Sequence, residues 1–378
     1  MLCSRKGTGL GMRNQTVKWV IVVACVIVCC VCLSLLRGGL DKTVTVQPED
    51  IMHDGFQSVE AQMQFTELAA AAEPYQAALD GDRIYYLGDA AEVASAPVEG
   101  AALYTLAYED PAAEFEIIEG KQGEKSANDA LKLIKDGNRE HVDRDTLLQW
   151  TWDDGEESDT RSFYGTSGAL GAEYQLPQEA RYFGLWNGKL YWFGTEAQKT
   201  VLAVQNMEPE SVRRNVIAEG VRMPEADLWI NDGYLAYIEE KQNRIVQMQL
   251  EDQKETAKLA IAGFSPQSVQ SNERYIVCAD ETGESLVYDV LAKETYGLGN
   301  ADVRNGSVQL YLRWDQVWMI QDQKQVVIYD LTDKTKSTMQ LPEAEYTGFD
   351  VDCDGKLLAY SSQGKKFIVA AYADAKTA

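Results

Sequence analysis

The chain has 378 residues with 35 basic and 59 acidic side chains, a net charge of −24. That balance excludes nucleic acid as a partner, because nucleic-acid binding needs a basic footprint. Two histidines, His53 and His141, and the lack of a G-x-S-x-G elbow leave acyl-transfer chemistry without support, and no catalytic residue is expected.

Residues 1–18 carry Arg5, Lys6, Arg13 and Lys18 and no acid. They read as a short basic tail suited to anionic lipid headgroups. Residues 19–36, "WVIVVACVIVCCVCLSLL", follow without a charge. As a helix they span roughly 27 Å, near the hydrocarbon thickness of a bilayer, so one membrane helix is expected. Four of the seven cysteines fall inside this run, where they act as small apolar residues rather than zinc ligands. Val22-Val23-Ala24-Cys25 also resembles a loose lipobox, but the apolar run continues to Leu36, past any cleavage site. Only five basic residues and no acidic one precede residue 38, which leaves 30 against 59 beyond it, a net charge of −29. The positive-inside rule then puts the N-terminus in the cytoplasm and the remainder outside the cell membrane. Residues 37–59, with Gly38, Gly39, Pro48 and Gly55 in polar surroundings, read as a stalk.

Residues 60–378 contain a repeat. "WNGKLYWFG" (186–194), "INDGYLAYIEE" (230–240), "SNERYIVCAD" (271–280), "RWDQVWMIQD" (313–322) and "DCDGKLLAYSS" (352–362) each place a polar turn before alternating apolar and aromatic residues. The turns recur at intervals of 40–45 residues, with further strand-like runs between them. Four short strands in that period is the signature of a propeller blade. An all-β propeller is expected. Seven blades of about 42 residues and an insertion fill 60–378, and six or eight are the neighbouring counts. The insertion is 121–145, where Ser126 and Gly137 could cap a short helix. The last unit lacks a fourth strand, which "EAQMQFTELA" (60–69) can supply. Cys278 and Cys353 fall in different units and are expected as free thiols.

On "LYWFG" (190–194) and "DVDCDGKLLAY" (350–360) the domain resembles Tol-Pal-type and YWTD-type propellers. That resemblance implies binding of a protein, peptide or glycan. A glycan-processing propeller enzyme is the alternative, prompted by "TWDDGEES" (151–158), which resembles a degenerate sialidase Asp-box.

Three further patterns are candidate chemistry. Asp350, Asp352 and Asp354 match the first half of a calcium loop. Its twelfth position is Ser361, so the plainer reading is a turn and no cofactor is expected. Trp186, Trp229 and Trp314 recur near the turns, where they would fill space between blades or line a ligand site. The loops joining second and third strands gather Trp152, Asp153, Asp154, Glu156, Glu157, Glu239, Glu240, Asp280 and Glu281. These are the candidate binding residues of a cation-preferring face.

Overall fold

The computed structural model describes residues 43–60, 63–80, 83–89, 101–107, 116–117, 151–153, 160–164 and 173–177. It also describes 182–372, with breaks at 188, 207–213, 225–227, 305, 343–345, 353–354 and 362–363. The membrane span read over 19–36 and the insertion over 121–145 lie outside the described residues. Among the described residues no helix is long and apolar enough to cross a membrane.

The described strands form seven sheets of three to five strands and one two-stranded hairpin. Sheet I holds Gln76–Asp80, Arg83–Asp89, Ala101–Ala107 and Glu116–Ile117. Sheet II holds Thr151–Asp153, Thr160–Tyr164 and Glu173–Pro177, and sheet III holds Tyr182–Trp186, Lys189–Glu196, Lys199–Asn206 and Arg214–Glu219. Sheet IV runs Ile230–Asn231, Tyr234–Glu239, Arg244–Gln249, Lys254–Ile261. Sheet V runs Ser268–Ser271, Tyr275–Ala279, Glu284–Asp289, Glu294–Asn300. Sheet VI runs Leu310–Arg313, Gln316–Gln321, Gln325–Asp330, Thr335–Gln340. Sheet VII joins Gly348–Val351, Lys356–Ser361 and Lys366–Tyr372 to the early strand Met63–Ala69. From sheet III onward the first strand of each sheet touches the first strand of the next, and that of sheet VII touches sheet I. First strands therefore face a common axis, and the architecture is a β-propeller.

The middle strands are buried on consecutive residues, as in Leu235–Ala236–Tyr237–Ile238 and Val317–Trp318–Met319–Ile320. The reason is that both faces of each sheet are covered, so a strict polar alternation would bury polar groups. The apolar clusters lie between sheets. Tyr191, Phe193, Tyr237 and Val246 join III to IV; Val277, Val287, Val317 and Tyr329 join V to VI. Ile320 and Ile328 meet Leu357 and Ile368 between VI and VII, and Tyr86 meets Phe367 at 4.9 Å between I and VII. Cys278 is a buried free thiol in this packing, and burial pushes its pKa up. Cys353 lies outside the described residues.

Sheet VII closes as its sequence suggested. Met63–Ala69 pairs antiparallel with Lys366–Tyr372, from Met63 opposite Tyr372 to Ala69 opposite Lys366. The stalk read over 37–59 is corrected over its described part. Val44–Val46 adds to the outer edge of sheet IV, and the Ala262 N–H donates to the Val46 carbonyl. Ile51–Met52 runs parallel to the outer strand of sheet V, and Gln57–Glu60 parallel to that of sheet VI. This segment is a belt laid on three outer edges. The outermost strand of an antiparallel sheet presents unpaired N–H and C=O groups, and any extended chain can satisfy them.

Side chains seat the belt as well. A Cβ on Gly55 would lie 2.4 Å from Cδ1 of Tyr296, so only glycine lets the belt reach that ring. Phe56 inserts between Tyr296 and Tyr329, with ring centroids at 5.6 and 4.9 Å. The Lys334 ammonium sits 3.9 Å from the centre of the Tyr296 ring, and its own carbonyl accepts from the Gln57 N–H at 2.8 Å. Desolvation holds that amine below the usual lysine range, while the aromatic faces supply part of the lost hydration. Phe56→Ala should therefore cost about 1–2 kcal/mol, less than a fully buried phenylalanine. It should speed hydrogen exchange at 51–60 while leaving the 366–372 strand protected. Uniform loss of protection in both segments would show that the belt is not a separate unit.

Candidate functional site

Around the axis each first strand has an edge that no strand of its own sheet pairs. From sheet IV onward the preceding sheet reaches it with side chains from two alternate positions that recur every 39–41 residues, of which Asn231, Gln270, Asn272, Tyr311, Arg313 and Asp350 bond to the next sheet. The Asn231 amide donates to the Ser271 carbonyl at 3.3 Å. The Gln270 amide donates to the Leu310 carbonyl and accepts from the Leu312 N–H, both at 2.7 Å. Asn272 donates to the Trp314 carbonyl at 2.6 Å. The Tyr311 hydroxyl donates to Phe349 O at 2.7 Å, and Arg313 Nε to Val351 O at 2.6 Å. Asp350 accepts from the Leu79 N–H at 2.8 Å, carrying the pattern from sheet VII to sheet I.

Asp350 and Asp352, the calcium candidates, are thereby accounted for in part. Asp350 faces sheet I, while Asp352 Oδ1 accepts from Lys356 N at 2.8 Å within its own turn. Asp354 lies outside the described residues. Among the described residues no group of three metal-ligating side chains converges.

Near the axis, Trp229 of sheet IV meets Tyr311 of sheet VI edge-on at 6.0 Å, and the Arg313 guanidinium lies 4.4 Å over the Trp229 ring. The contact links two sheets that are not neighbours in the ring. All three side chains are buried.

Beside this contact, on the face where the connections between sheets emerge, lies a shallow, open recess of about 30 Å³. Its described lining comes from the second strand of sheet III, the connection into sheet IV, the second strand of sheet IV, the start of sheet V and the hairpin before sheet VI, and includes Phe193, Trp229, Tyr237, Val269 and Val308. Among the described lining residues Arg222 is the charged one. Its guanidinium donates to the Pro266 carbonyl and, at 3.1 Å, to Asn243 Oδ1. Asn243 in turn donates to the Phe264 carbonyl at 2.9 Å. The wall is thus braced before any ligand arrives. Burial, then Glu255, pushes the Tyr237 hydroxyl pKa up, so it remains a neutral hydrogen-bonding group.

The candidate acids divide. Glu239 pairs with Arg244 across its hairpin. Asp280 Oδ1 accepts from Thr282 N at 2.9 Å, Thr282 Oγ1 at 2.7 Å and Glu284 N at 3.0 Å, which builds its own turn. Glu240 and Glu281 are exposed. Trp152 and Asp153 lie in the strand opposite Phe163 and Ser162. Asp154, Glu156 and Glu157 lie outside the described residues. Two of the four acids with described surroundings are therefore spent on loop structure, and Arg222 and Arg304 stand on the same face, with Arg304 donating to Tyr346 O and Gln323 O. Sequence reasoning missed the recess because it combines repeat-strand residues of sheets III–V with connection residues that follow no repeating pattern.

The three recurring tryptophans occupy three different positions. Trp186 lies against Gly233 in the neighbouring turn, as expected of an inter-sheet filler. Trp229 packs against Tyr311 and Arg313 two sheets on. Trp314 sits in the turn itself with φ +50 and is 67% exposed. That backbone costs an L-residue roughly 1–2 kcal/mol.

No protein-family model matches the chain, and no curated protein does. Among solved structures, the chain is similar to the WD40 β-propeller domain of Doa1, with 9% identity, 84% of this chain and 99% of that chain covered, and a TM-score of 0.44.

The axial bonds make one direct prediction. Gln270→Ala strands the buried Leu310 carbonyl and Leu312 N–H and should cost about 1–3 kcal/mol in urea unfolding. Gln270→Glu keeps the acceptor, sets a carboxylate against the Leu310 carbonyl, and should cost at least as much. Wild-type stability in both variants would remove these bonds from the account of the ring. Together, a β-propeller architecture and a braced recess on the connection face are what the geometry offers a ligand.

Proposed function

We propose that the protein is a membrane-anchored, extracytoplasmic, seven-bladed β-propeller that acts as a binding or scaffolding module. The seven sheets and the 40–45-residue period support the blade number. The acid-free N-terminal flank and the uncharged run 19–36 support anchoring with the N-terminus inside.

The observation that carries the binding reading is the braced recess. It is concave, mostly apolar and walled by hydrogen-bonded connections, the general form of a ligand site. Its occupant is a segment of a partner polypeptide that places an apolar side chain against Trp229, Tyr237 and Val308. A glycan-processing site would need two carboxyl groups about 5–9.5 Å apart facing one opening.

The test uses the full chain in nanodiscs on peptide and glycan arrays, beside a Ser307→Trp variant that fills the recess from its half-exposed rim. Peptide binding that falls at least tenfold in Ser307→Trp is expected. Binding unchanged by the variant would move the site elsewhere. Protease treatment of intact cells should remove the propeller; its survival would reverse the orientation.

A further inference from the structure

The recess lining holds a half-buried charge that meets only neutral partners. Arg222 is fixed at both ends. Its backbone N–H donates to the Ile238 carbonyl at 2.8 Å, and its guanidinium donates to the Pro266 carbonyl and to Asn243 Oδ1. Asn243 is itself held by its bond to Phe264 O, which keeps the amide oxygen on the arginine. Both guanidinium acceptors are therefore neutral oxygens. A guanidinium has five N–H donors in a planar fork, so these two bonds leave part of the fork uncommitted.

Elsewhere this chain gives its arginines carboxylates. Arg214 pairs with Glu196, Arg244 with Glu239, Arg274 with Asp289 at 2.8 Å and Arg304 with Asp302 at 3.7 Å. Among the described residues no carboxylate pairs with Arg222. The acids on the neighbouring strands and turns are otherwise engaged or exposed. Glu239 holds Arg244, Glu255 accepts from the Tyr237 hydroxyl at 3.2 Å, and Glu240 is exposed beside Lys241. Glu225 and Asp227, in the same connection as Arg222, lie outside the described residues. An apolar lining that includes a guanidinium is complementary to an apolar side chain with an anion next to it.

We propose that the recess takes an acidic peptide segment. One apolar side chain seats against Trp229 and Val308, and a neighbouring aspartate or glutamate carboxylate bonds the fork of Arg222. This rests on the reading of the recess as a polypeptide-binding site and names the chemistry of the partner. Its sign is opposite to the one that bulk charge favours. At a net charge of −24 the long-range field repels an acidic peptide, so a preference for one comes from the local contact.

The probes are three amidated peptides with a neutral fluorophore, each a leucine set among serines and flanked by Glu, Gln or Lys. They are titrated by anisotropy against the full chain in nanodiscs. The Glu peptide should bind about five- to tenfold tighter than the Gln peptide, and the Lys peptide weakest. Arg222→Gln keeps amide donors for Pro266 and Asn243 without the charge, and should bind the Glu and Gln peptides alike. Arg222→Lys keeps the charge and should retain part of the preference, whether or not the Gln variant melts at a lower temperature. Equal binding of the Glu and Gln peptides by the wild type would overturn the proposal. So would an Arg222→Gln variant that weakens both by one factor and preserves their ratio, since the arginine would then be a brace alone. The preference should persist in Glu225→Gln/Asp227→Asn; a preference seen only in that variant would assign Arg222 to its own connection and discard the proposal. Ser307→Trp separates the two readings. Gln-peptide binding that is lost in Ser307→Trp but shows no gain from Glu leaves the recess a binding site and removes the acidic partner. Binding of every peptide indifferent to Ser307→Trp would remove both.

Discussion

The ring depends on how a sheet's inner edge finds hydrogen-bond partners. Four-stranded antiparallel sheets leave one row of backbone groups facing the axis and another facing outward. The inner row cannot be left unpaired where buried side chains such as Trp229 and Arg313 exclude water from it. The solution is a side chain from the preceding sheet, and Asn231, Gln270, Tyr311, Arg313 and Asp350 each reach the next first strand. Because those side chains come from the same alternate positions, the polar bonds set the angular step between sheets. The apolar clusters then fill the wedge that the step leaves.

The outer row has a different remedy, since no further sheet lies beyond it. Backbone meets backbone there: the belt strands Val44–Val46, Ile51–Met52 and Gln57–Glu60 extend sheets IV, V and VI, and Met63–Ala69 completes sheet VII. One continuous segment thus occupies four consecutive outer edges. The two remedies leave the connection and turn faces as the surfaces not consumed by holding the ring together, and the recess lies on the first of them.

Legibility in the sequence follows the same division. The turns were readable because Asn187, Asp232, Asn243 and Asp322 hold positive φ, a demand that restricts residue type. The closing strand was readable because 60–69 has a strand pattern and the last unit lacked a partner. The belt was not, since main-chain pairing imposes no periodicity and 44–60 contains glycine, proline and charge. Tyr191, Trp192 and Phe193, quoted for the resemblance to YWTD propellers, are fully buried, so their pattern reports packing between sheets. The tryptophans were misaligned for a related reason. Trp186 ends its strand, Trp229 lies four residues before Gly233, and Trp314 is within the turn, so similar spacing covered three environments. The recess was invisible because its lining is gathered from strands and connections spread from Phe193 to Val308.

The belt also sets an order of events. Its strands leave the ribosome first, yet the edges that receive them, from Lys254–Ile261 to Lys366–Tyr372, are made much later. The Lys366–Glu67 contact in sheet VII joins residues 299 apart. At synthesis rates of about 5–20 residues per second, that interval is on the order of 15–60 s. Throughout it Met63–Ala69 lacks its partner strand, while the earlier belt strands can pair with sheets IV–VI as each emerges. Such long-range pairings are slow and expose strands to aggregation in the meantime. Ring closure is therefore a final, whole-chain step, and chains halted before residue 372 would hold sheets but no closed ring.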